Sequence, residues 1–116
     1  MKTYKEERPW GNFERFTHNE ISTVKILTVN SNEELSLQFH HNREEFWRVL
    51  EGSGSFVIGD KTKVGKQGDE FFIPKETVHQ IKTTKASVTI LEIAFGNFDE
   101  NDIVRIKDKY NREDPK

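Results

Sequence analysis

The stretch LSLQFHHNREEFWRVLEGSG, from Leu35 to Gly54, carries most of the structural information in this sequence. It places one glutamine, two histidines and two glutamates within the eight positions 38–45, then turns apolar and ends in glycines. Its alternation of apolar and polar residues is typical of β-strands, because neighbouring side chains of a strand point to opposite faces. We therefore interpret it as a β-hairpin that carries several groups able to bind a metal ion.

One face of this predicted hairpin collects candidate ligands. Gln38 and His40 are two positions apart and share a face, while Phe39 points the other way. After a turn at residues 41–43, Glu45 begins the second strand and can point into the same space as His40. Imidazole, carboxylate and amide groups all bind divalent cations such as zinc. A fourth ligand would have to come from another segment.

The segment GDEFFIPKETVHQ, residues 68–80, offers that fourth ligand. A turn at residues 68–69 precedes a predicted strand over residues 71–73. Pro74 ends this strand, and the bend that it fixes redirects His79 toward the sheet. The alternative is that histidines in such a charged hairpin are solvated or hydrogen-bonded to other groups. The residues alone leave both interpretations open.

The rest of the sequence has the character of one small all-β domain. With 116 residues, a third of them charged, the chain suits a single compact domain over residues 1–116. Short apolar segments at 22–29, 71–73 and 86–96 alternate with turn-forming residues, which favours an antiparallel sandwich or barrel. The GSGS segment at residues 52–55 is predicted to form a hairpin turn. The segment 99–116 could contain a short helix or a strand.

Charge and composition exclude several classes of partner. The formal charge is −2 and opposite charges are interspersed, so neither a nucleic-acid-binding face nor a membrane-binding polybasic run is expected. The sequence has no cysteine, which removes disulfides, thiolate nucleophiles and cysteine-bound zinc. No apolar signal segment or membrane-spanning run is present in the sequence, so we expect a cytoplasmic protein with small molecules or proteins as partners.

The spacing of these residues resembles the two motifs of the cupin superfamily, small jelly-roll β-barrels with a divalent metal at the barrel mouth. The first motif matches Gln38, His40, Glu45 and Gly52, and the second matches Gly68, Pro74 and His79. The resemblance implies a cupin fold and the metal ligands Gln38, His40, Glu45 and His79. The second motif departs from the pattern, since Glu76 and Thr83 stand where cupins often have glycine and asparagine.

A closer resemblance covers nearly the whole chain. The segments RPWGNFERF, VKILTVNSNEELSLQFHHNREEFWRVLEGSG, FFIPKETVHQI and NDIVRIKDKYNR are similar to the C-terminal cupin domain of type II phosphomannose isomerases. In that family the domain is fused to a mannose-1-phosphate guanylyltransferase domain. The motif RPWG stands near the first residue here, so we expect that second domain to be missing. The resemblance implies isomerisation of mannose 6-phosphate to fructose 6-phosphate through an enediolate.

Further residues are candidates for catalysis and substrate binding, one of them through the resemblance and the others through their chemistry. Arg105, in the segment DIVR, resembles the family's catalytic arginine, although a solvated arginine beside Asp102 is the alternative. His41 is the candidate proton-transferring base, but strict alternation points it away from His40. The predicted substrate-binding residues are Arg43, Trp47 and Lys82, with Trp47 either a sugar-stacking wall or ordinary core.

The cofactor and the function retain alternatives. Zinc is the expected metal, with cobalt, manganese or nickel as other ions that mixed nitrogen and oxygen ligands accept. The expected ligand is a small sugar phosphate, and a homodimer is expected by analogy with cupins. A non-catalytic cupin that binds a sugar or sugar nucleotide is the main alternative to the isomerase. Another sugar isomerase or epimerase, or an oxygenase, is the third, although oxygenases commonly have histidine where Gln38 stands.

Overall fold

The computed structural model describes residues 3–112, which form ten β-strands and, within that range, no helix. No helix able to cross a membrane is therefore found in residues 3–112. The strands are β1 (Tyr4–Arg8), β2 (Gly11–Arg15), β3 (Ser22–Val29), β4 (Leu37–Phe39), β5 (Glu45–Ile58), β6 (Lys61–Lys66), β7 (Glu70–Ile73), β8 (His79–Lys82), β9 (Val88–Phe95) and β10 (Val104–Lys107).

Two sheets account for all ten strands. β1 and β2 form a separate two-stranded hairpin. The other eight form one antiparallel sheet in the order β10-β4-β8-β5-β9-β3, with β6 and β7 also paired to β5. The first residues of β5 pair with β7 and β9, whereas its last residues pair with β6 and β8. A single strand of 14 residues therefore belongs to both layers around the core. The predicted all-β fold class is confirmed.

β5 is continuous through the segment that was predicted from the sequence to form a hairpin turn. Gly52 has a φ of 78°, and the pairing of β5 with β9 shifts register between Val49 and Glu51. A β-carbon on Gly52 would overlap the backbone carbonyl of Ser87, so only glycine fits there. The prediction of a turn at 52–55 is wrong, because the glycines of this segment allow a bulge that bends the strand without reversing it.

The predicted hairpin from Leu35 to Gly54 is also wrong in its pairing. β4 and β5 are not neighbours, because β8 lies between them and pairs with both. In this register Gln38 lies directly opposite His79. The inserted strand thus brings the second motif between the two parts of the first one.

The segment after Phe95 contributes a strand where the sequence also allowed a helix. Val104–Lys107 pairs with β4, with Arg105 opposite Gln38. Of the two alternatives, the strand is therefore confirmed and the possible helix does not form over the described part of the segment, because pairing with the edge of the sheet provides the backbone hydrogen bonds. Residues 113–116 lie outside the described residues.

The hydrophobic core lies between the two layers. Its largest side chain is Trp47, which is 1% exposed and packs on Phe56 at a ring distance of 6.0 Å. The other buried members of this cluster are Val29, Val49, Phe56, Ile73, Ile81, Val88 and Ile90. The candidate ligands lie at the end of this cluster, so the core fixes their positions.

Candidate metal centre

Three candidate ligands from separate elements meet at one point. His40 follows β4, Glu45 begins β5 and His79 begins β8, and their nearest donor atoms all lie within 4.8 Å of one another. The Nε2 atoms of both histidines are 3.7 Å from the Glu45 carboxylate. Two ligand atoms on one tetrahedral zinc ion, each about 2.1 Å from it, are separated by about 3.4 Å. The spacing therefore fits a shared metal ion.

Backbone carbonyls orient both imidazole rings. Nδ1 of His40 donates to the carbonyl of Asp102 at 2.5 Å, and Nδ1 of His79 donates to the carbonyl of Thr77 at 2.9 Å. In a neutral imidazole the other nitrogen then carries a lone pair, so both Nε2 atoms face the carboxylate as acceptors. Acceptors that face one another are stabilised by a cation, and the Arg43 guanidinium, 3.0 Å from both His40 Nε2 and the Glu45 carboxylate, supplies that charge here. Such carbonyl contacts are the usual outer support of metal-binding histidines.

Burial keeps the two histidines, but not the carboxylate, in the form that binds metal. His40 and His79 are 3% and 1% exposed. Burial lowers the pKa of His40 to about 4 and also lowers the pKa of His79, so both rings are neutral at pH 7. Burial raises the pKa of the Glu45 carboxyl, which the nearby Arg43 guanidinium opposes. A metal ion requires neutral histidine and ionised carboxylate.

Gln38 and Arg43 complete the surroundings of the three ligands. Both line a cavity of about 170 Å³ beside His40, Glu45 and His79. Arg43 donates from Nη2 to Nε2 of His40 at 3.0 Å, and its Nε lies 3.0 Å from the Glu45 carboxylate. Gln38, a predicted ligand, and Arg43, a predicted substrate-binding residue, thus both lie beside the three candidate ligands.

The opposite wall of the cavity contains two charged residues that the sequence analysis missed. Glu92 of β9 is buried, and Lys25 of β3 lies opposite it in the register. Both line the cavity. The ring of Phe98 faces two cations, Lys25 Nζ at 4.1 Å and the Arg43 guanidinium at 4.5 Å. The only local signal was one carboxylate within the apolar strand VTILEIAF, which marks a polar group facing the interior.

Burial, together with the charge of Glu45, raises the pKa of Glu92 to about 7. The folded chain therefore holds a proton on Glu92 between pH 4.5 and 7, whereas the unfolded chain does not. Glu92 favours folding below pH 4.5, and this contribution is lost as pH rises through 7. We expect Glu92→Gln to leave the free energy of unfolding of metal-free protein nearly unchanged at pH 5. At pH 8 the same substitution should raise the free energy of unfolding by up to about 3 kcal/mol, because it removes a buried negative charge.

Urea unfolding at pH 5, 6.5 and 8 measures this difference. Glu51→Gln is the matched control, because Glu51 is exposed on β5 and its replacement should have the same small effect at every pH. A Glu92→Gln effect that does not grow with pH would contradict the expectation.

The remaining predicted site residues differ in their placement. Trp47 lines the cavity but is buried in the core, with its ring centroid 5.5 Å from that of His79 in an edge-to-face arrangement. Arg105 lies on β10 opposite Gln38. His41 is exposed and packs against Phe39, as alternation indicated, so the geometry gives no support to its predicted role as a base. Lys82 is exposed three residues beyond His79 and pairs across from Ser55, outside the cavity lining.

Comparisons with known proteins identify the family. A family profile described as mannose-6-phosphate isomerase C-terminal matches residues 1–108. Mannose-1-phosphate guanylyltransferase 2 of Escherichia coli O157:H7 is 35% identical over 109 residues, which are 92% of this chain and 23% of that protein. Mannose-1-phosphate guanylyltransferase ManC of Salmonella typhimurium is 33% identical over 107 residues, which are 90% of this chain and 22% of that protein. The chain thus spans less than a quarter of these relatives.

A solved structure shows the same fold. A cupin-like protein from Thermotoga maritima superposes with a TM-score of 0.63 at 16% identity, over 75% of this chain and 65% of that one. Identity at this level shows the fold alone. The superposition confirms the expected cupin barrel.

The predicted activity needs correction. The sequence analysis expected a mannose-6-phosphate isomerase, but the relatives are named mannose-1-phosphate guanylyltransferases, so that prediction is wrong. The motifs correctly identified the domain, which makes up less than a quarter of those relatives. The resemblance to the cupin domain itself is confirmed. With its fold, its buried ligand cluster and the match over residues 1–108, this chain belongs to the mannose-6-phosphate isomerase C-terminal family of cupin domains.

Proposed function

We propose that this chain is a binding domain that holds a divalent metal ion, zinc, and uses it to bind a small sugar phosphate. The observation that supports this most directly is the arrangement of His40, Glu45 and His79. Both Nε2 atoms lie 3.7 Å from one carboxylate at the wall of a cavity. Two imidazoles and one carboxylate form a common ligand set for zinc with an open position.

Gln38 fits the role of a fourth, neutral ligand. With Glu45 as the single anionic ligand, a bound divalent ion would retain net positive charge and provide open positions for ligand oxygens. Glu92 would add a second carboxylate near the ion. Even with both carboxylates ionised, a divalent ion together with Lys25 and Arg43 would leave the cavity positively charged. The cavity therefore favours an anionic ligand.

The charges at the cavity suit a phosphate group in particular. Lys25 and Arg43 both line the cavity, and both stand over the ring of Phe98. Arginine binds phosphate through paired N–H groups, and lysine adds a point charge. Glu92, which also lines the cavity, would bind a sugar hydroxyl. The cavity, at about 170 Å³, is smaller than the range of about 300–1,000 Å³ usual for drug-sized ligands, which favours a hexose phosphate over a sugar nucleotide.

Calorimetric titration tests this proposal with mannose 6-phosphate, mannose and inorganic phosphate as probes. Protein stripped with EDTA is compared with protein loaded with zinc, cobalt, manganese or nickel. We expect mannose 6-phosphate to bind the zinc-loaded form, and to bind it more tightly than either fragment. The stripped form should bind at least 10-fold more weakly. Equal binding by stripped and loaded protein, or no binding by any loaded form, would contradict the proposal.

Lys25→Ala tests the phosphate contact. Loss of one cation near a phosphate should weaken mannose 6-phosphate binding by about 10-fold, at about 1.4 kcal/mol per tenfold, and should leave mannose binding unchanged. Lys85→Ala is the matched control, because Lys85 is exposed and outside the cavity lining.

A further inference from the structure

Arg43 lies against two of the candidate ligands. Its Nη2 donates to Nε2 of His40 at 3.0 Å, and its Nε lies 3.0 Å from the Glu45 carboxylate. Both groups belong to the cluster that could hold a metal ion. The Nε2 atom of a neutral imidazole has one lone pair, so that of His40 can accept from the guanidinium or bind a metal ion, but not both. The two cations therefore compete for one position.

The guanidinium of Arg43 makes few hydrogen bonds in this position. Its side chain is only 10% exposed, yet neither Nε nor Nη1 has a hydrogen-bond partner among the described residues. Arg48 provides the contrast, because it donates to Glu14 at 2.6 and 2.8 Å and to Glu70 at 2.7 Å. A buried N–H group without a partner costs free energy. Arg43 is therefore held mainly by its charge, and a second cation that replaces that charge can release it.

The surroundings allow the side chain of Arg43 to move while its backbone stays in place. The carboxylate of Asp102 accepts from the backbone N–H groups of His41 and Asn42, which fixes the loop between β4 and β5. The guanidinium already lies 4.5 Å from the centre of the Phe98 ring. Because an aromatic face attracts a cation without requiring hydrogen bonds, a guanidinium that leaves the ligands keeps one favourable contact.

We propose that Arg43 is a resident cation that occupies the metal position of the metal-free chain, and that its displacement by a divalent ion makes its guanidinium available to a phosphate group. This inference rests on the proposed function, since it concerns the same metal ion and the same anionic ligand. It adds an order to the two binding events. The phosphate contact of Arg43 forms only after the metal ion is bound.

This exchange couples the binding of the two ligands. Because the guanidinium is released only when the metal ion is bound, metal raises the affinity for phosphate, and phosphate raises the affinity for metal by the same factor. Lys25 takes no part in the exchange, since its Nζ lies 4.1 Å from the centre of the Phe98 ring and has no hydrogen bond to either ligand among the described residues. The metal-free chain therefore offers one free cation to a phosphate group, and the loaded chain offers two.

Zinc affinity, measured at pH 8 by competition with a chromophoric chelator, tests the competition between the two cations. Arg43→Ala should bind zinc about 10-fold more tightly than the parent, because no contact between the guanidinium and the ligands has to be broken. Lys25→Ala is the matched control, because Lys25 acts on the Glu45 carboxyl through its charge alone. Its loss should tighten zinc binding by about 3-fold or less. Equal affinities of the parent and a folded Arg43→Ala variant would overturn the inference.

The NMR resonance of the Arg43 Nε–H group follows the guanidinium in the unaltered chain, and its loss in Arg43→Lys assigns it. We expect inorganic phosphate to leave this resonance in place in protein stripped with EDTA. Zinc should shift it, and phosphate added to the zinc-loaded protein should shift it again.

Two results would overturn the inference while leaving the metal centre intact. One is a resonance that stays unchanged in protein that binds zinc in the chelator competition. The other is a phosphate-induced shift that is as large in stripped protein as in loaded protein. A failure of the parent and both alanine variants to bind zinc would overturn the proposed function together with the inference.

Discussion

Replacing His79 with alanine should weaken zinc binding by more than 100-fold. His79 would supply one of three close ligands, and its Nε2 lies 3.7 Å from the Glu45 carboxylate. Loss of an outer-shell partner alone typically costs about 10–100-fold in metal affinity, so loss of a ligand should cost more. The measurement is competition with a chromophoric chelator, using protein first stripped with EDTA. Circular dichroism of the variant should match that of the parent.

His41→Ala provides the matched control for that experiment. His41 adjoins His40 but is exposed, and its backbone N–H, which alanine retains, makes the hydrogen bond to Asp102. We expect its affinity for zinc to stay within about 3-fold of the parent value. A folded His79→Ala variant that binds zinc as tightly as the His41→Ala variant would exclude this metal centre.

Trp47→Ala should lower the free energy of unfolding by about 3–5 kcal/mol, the usual cost of removing a buried aromatic side chain. Trp47 is 1% exposed and contacts both the core, through Phe56, and the ligand His79. Its removal leaves a cavity that β-sheet backbones on both sides cannot close. Urea unfolding of the metal-free protein gives the value by linear extrapolation.

Val64→Ala is the control for surface truncation. Val64 is 78% exposed, so its loss should change the free energy of unfolding by no more than about 0.5 kcal/mol. A cost below about 1 kcal/mol for Trp47→Ala would show that Trp47 is not a core residue. That result would favour the alternative that Trp47 forms a wall on which the ligand stacks.

The residues of the site that are close in sequence could be predicted from the alternation of side chains along a strand. A period of two was enough to place Gln38 with His40 and to direct Glu45 into the same space, and a motif spacing was needed to add His79. The structure brings these groups to one cavity. The same rule indicated that His41 points away, which the exposure of its side chain bears out.

The far wall of the cavity depended on long-range register. Glu92 reaches the cavity because β9 pairs with β3 and β5, which places it opposite both Lys25 and Trp47. Periodicity within one strand does not specify which strands become neighbours. Nothing near position 25 or 92 in the sequence therefore linked these residues to the histidines.

The errors in the fold have the same origin. Pairing of β4 with β5 was the simplest local solution, yet β8 takes the place between them. The segment containing Ile103 and Ile106 suits a helix or a strand, and contact with the edge of β4 selects the strand. At Glu76, where cupins often have glycine, the backbone still adopts a φ of 60°, so the turn is kept without the usual residue.

Asp102 links the metal centre to the last strand. Its carbonyl accepts from His40, while its carboxylate accepts from the backbone N–H groups of His41 and Asn42 at 2.8 and 2.9 Å. The loop that carries one ligand is thereby fastened to a segment more than 60 residues further along the chain. Any truncation that removes β10 together with Asp102 would release the imidazole of His40 to rotate. A fragment for biophysical work should therefore retain residues up to at least 107.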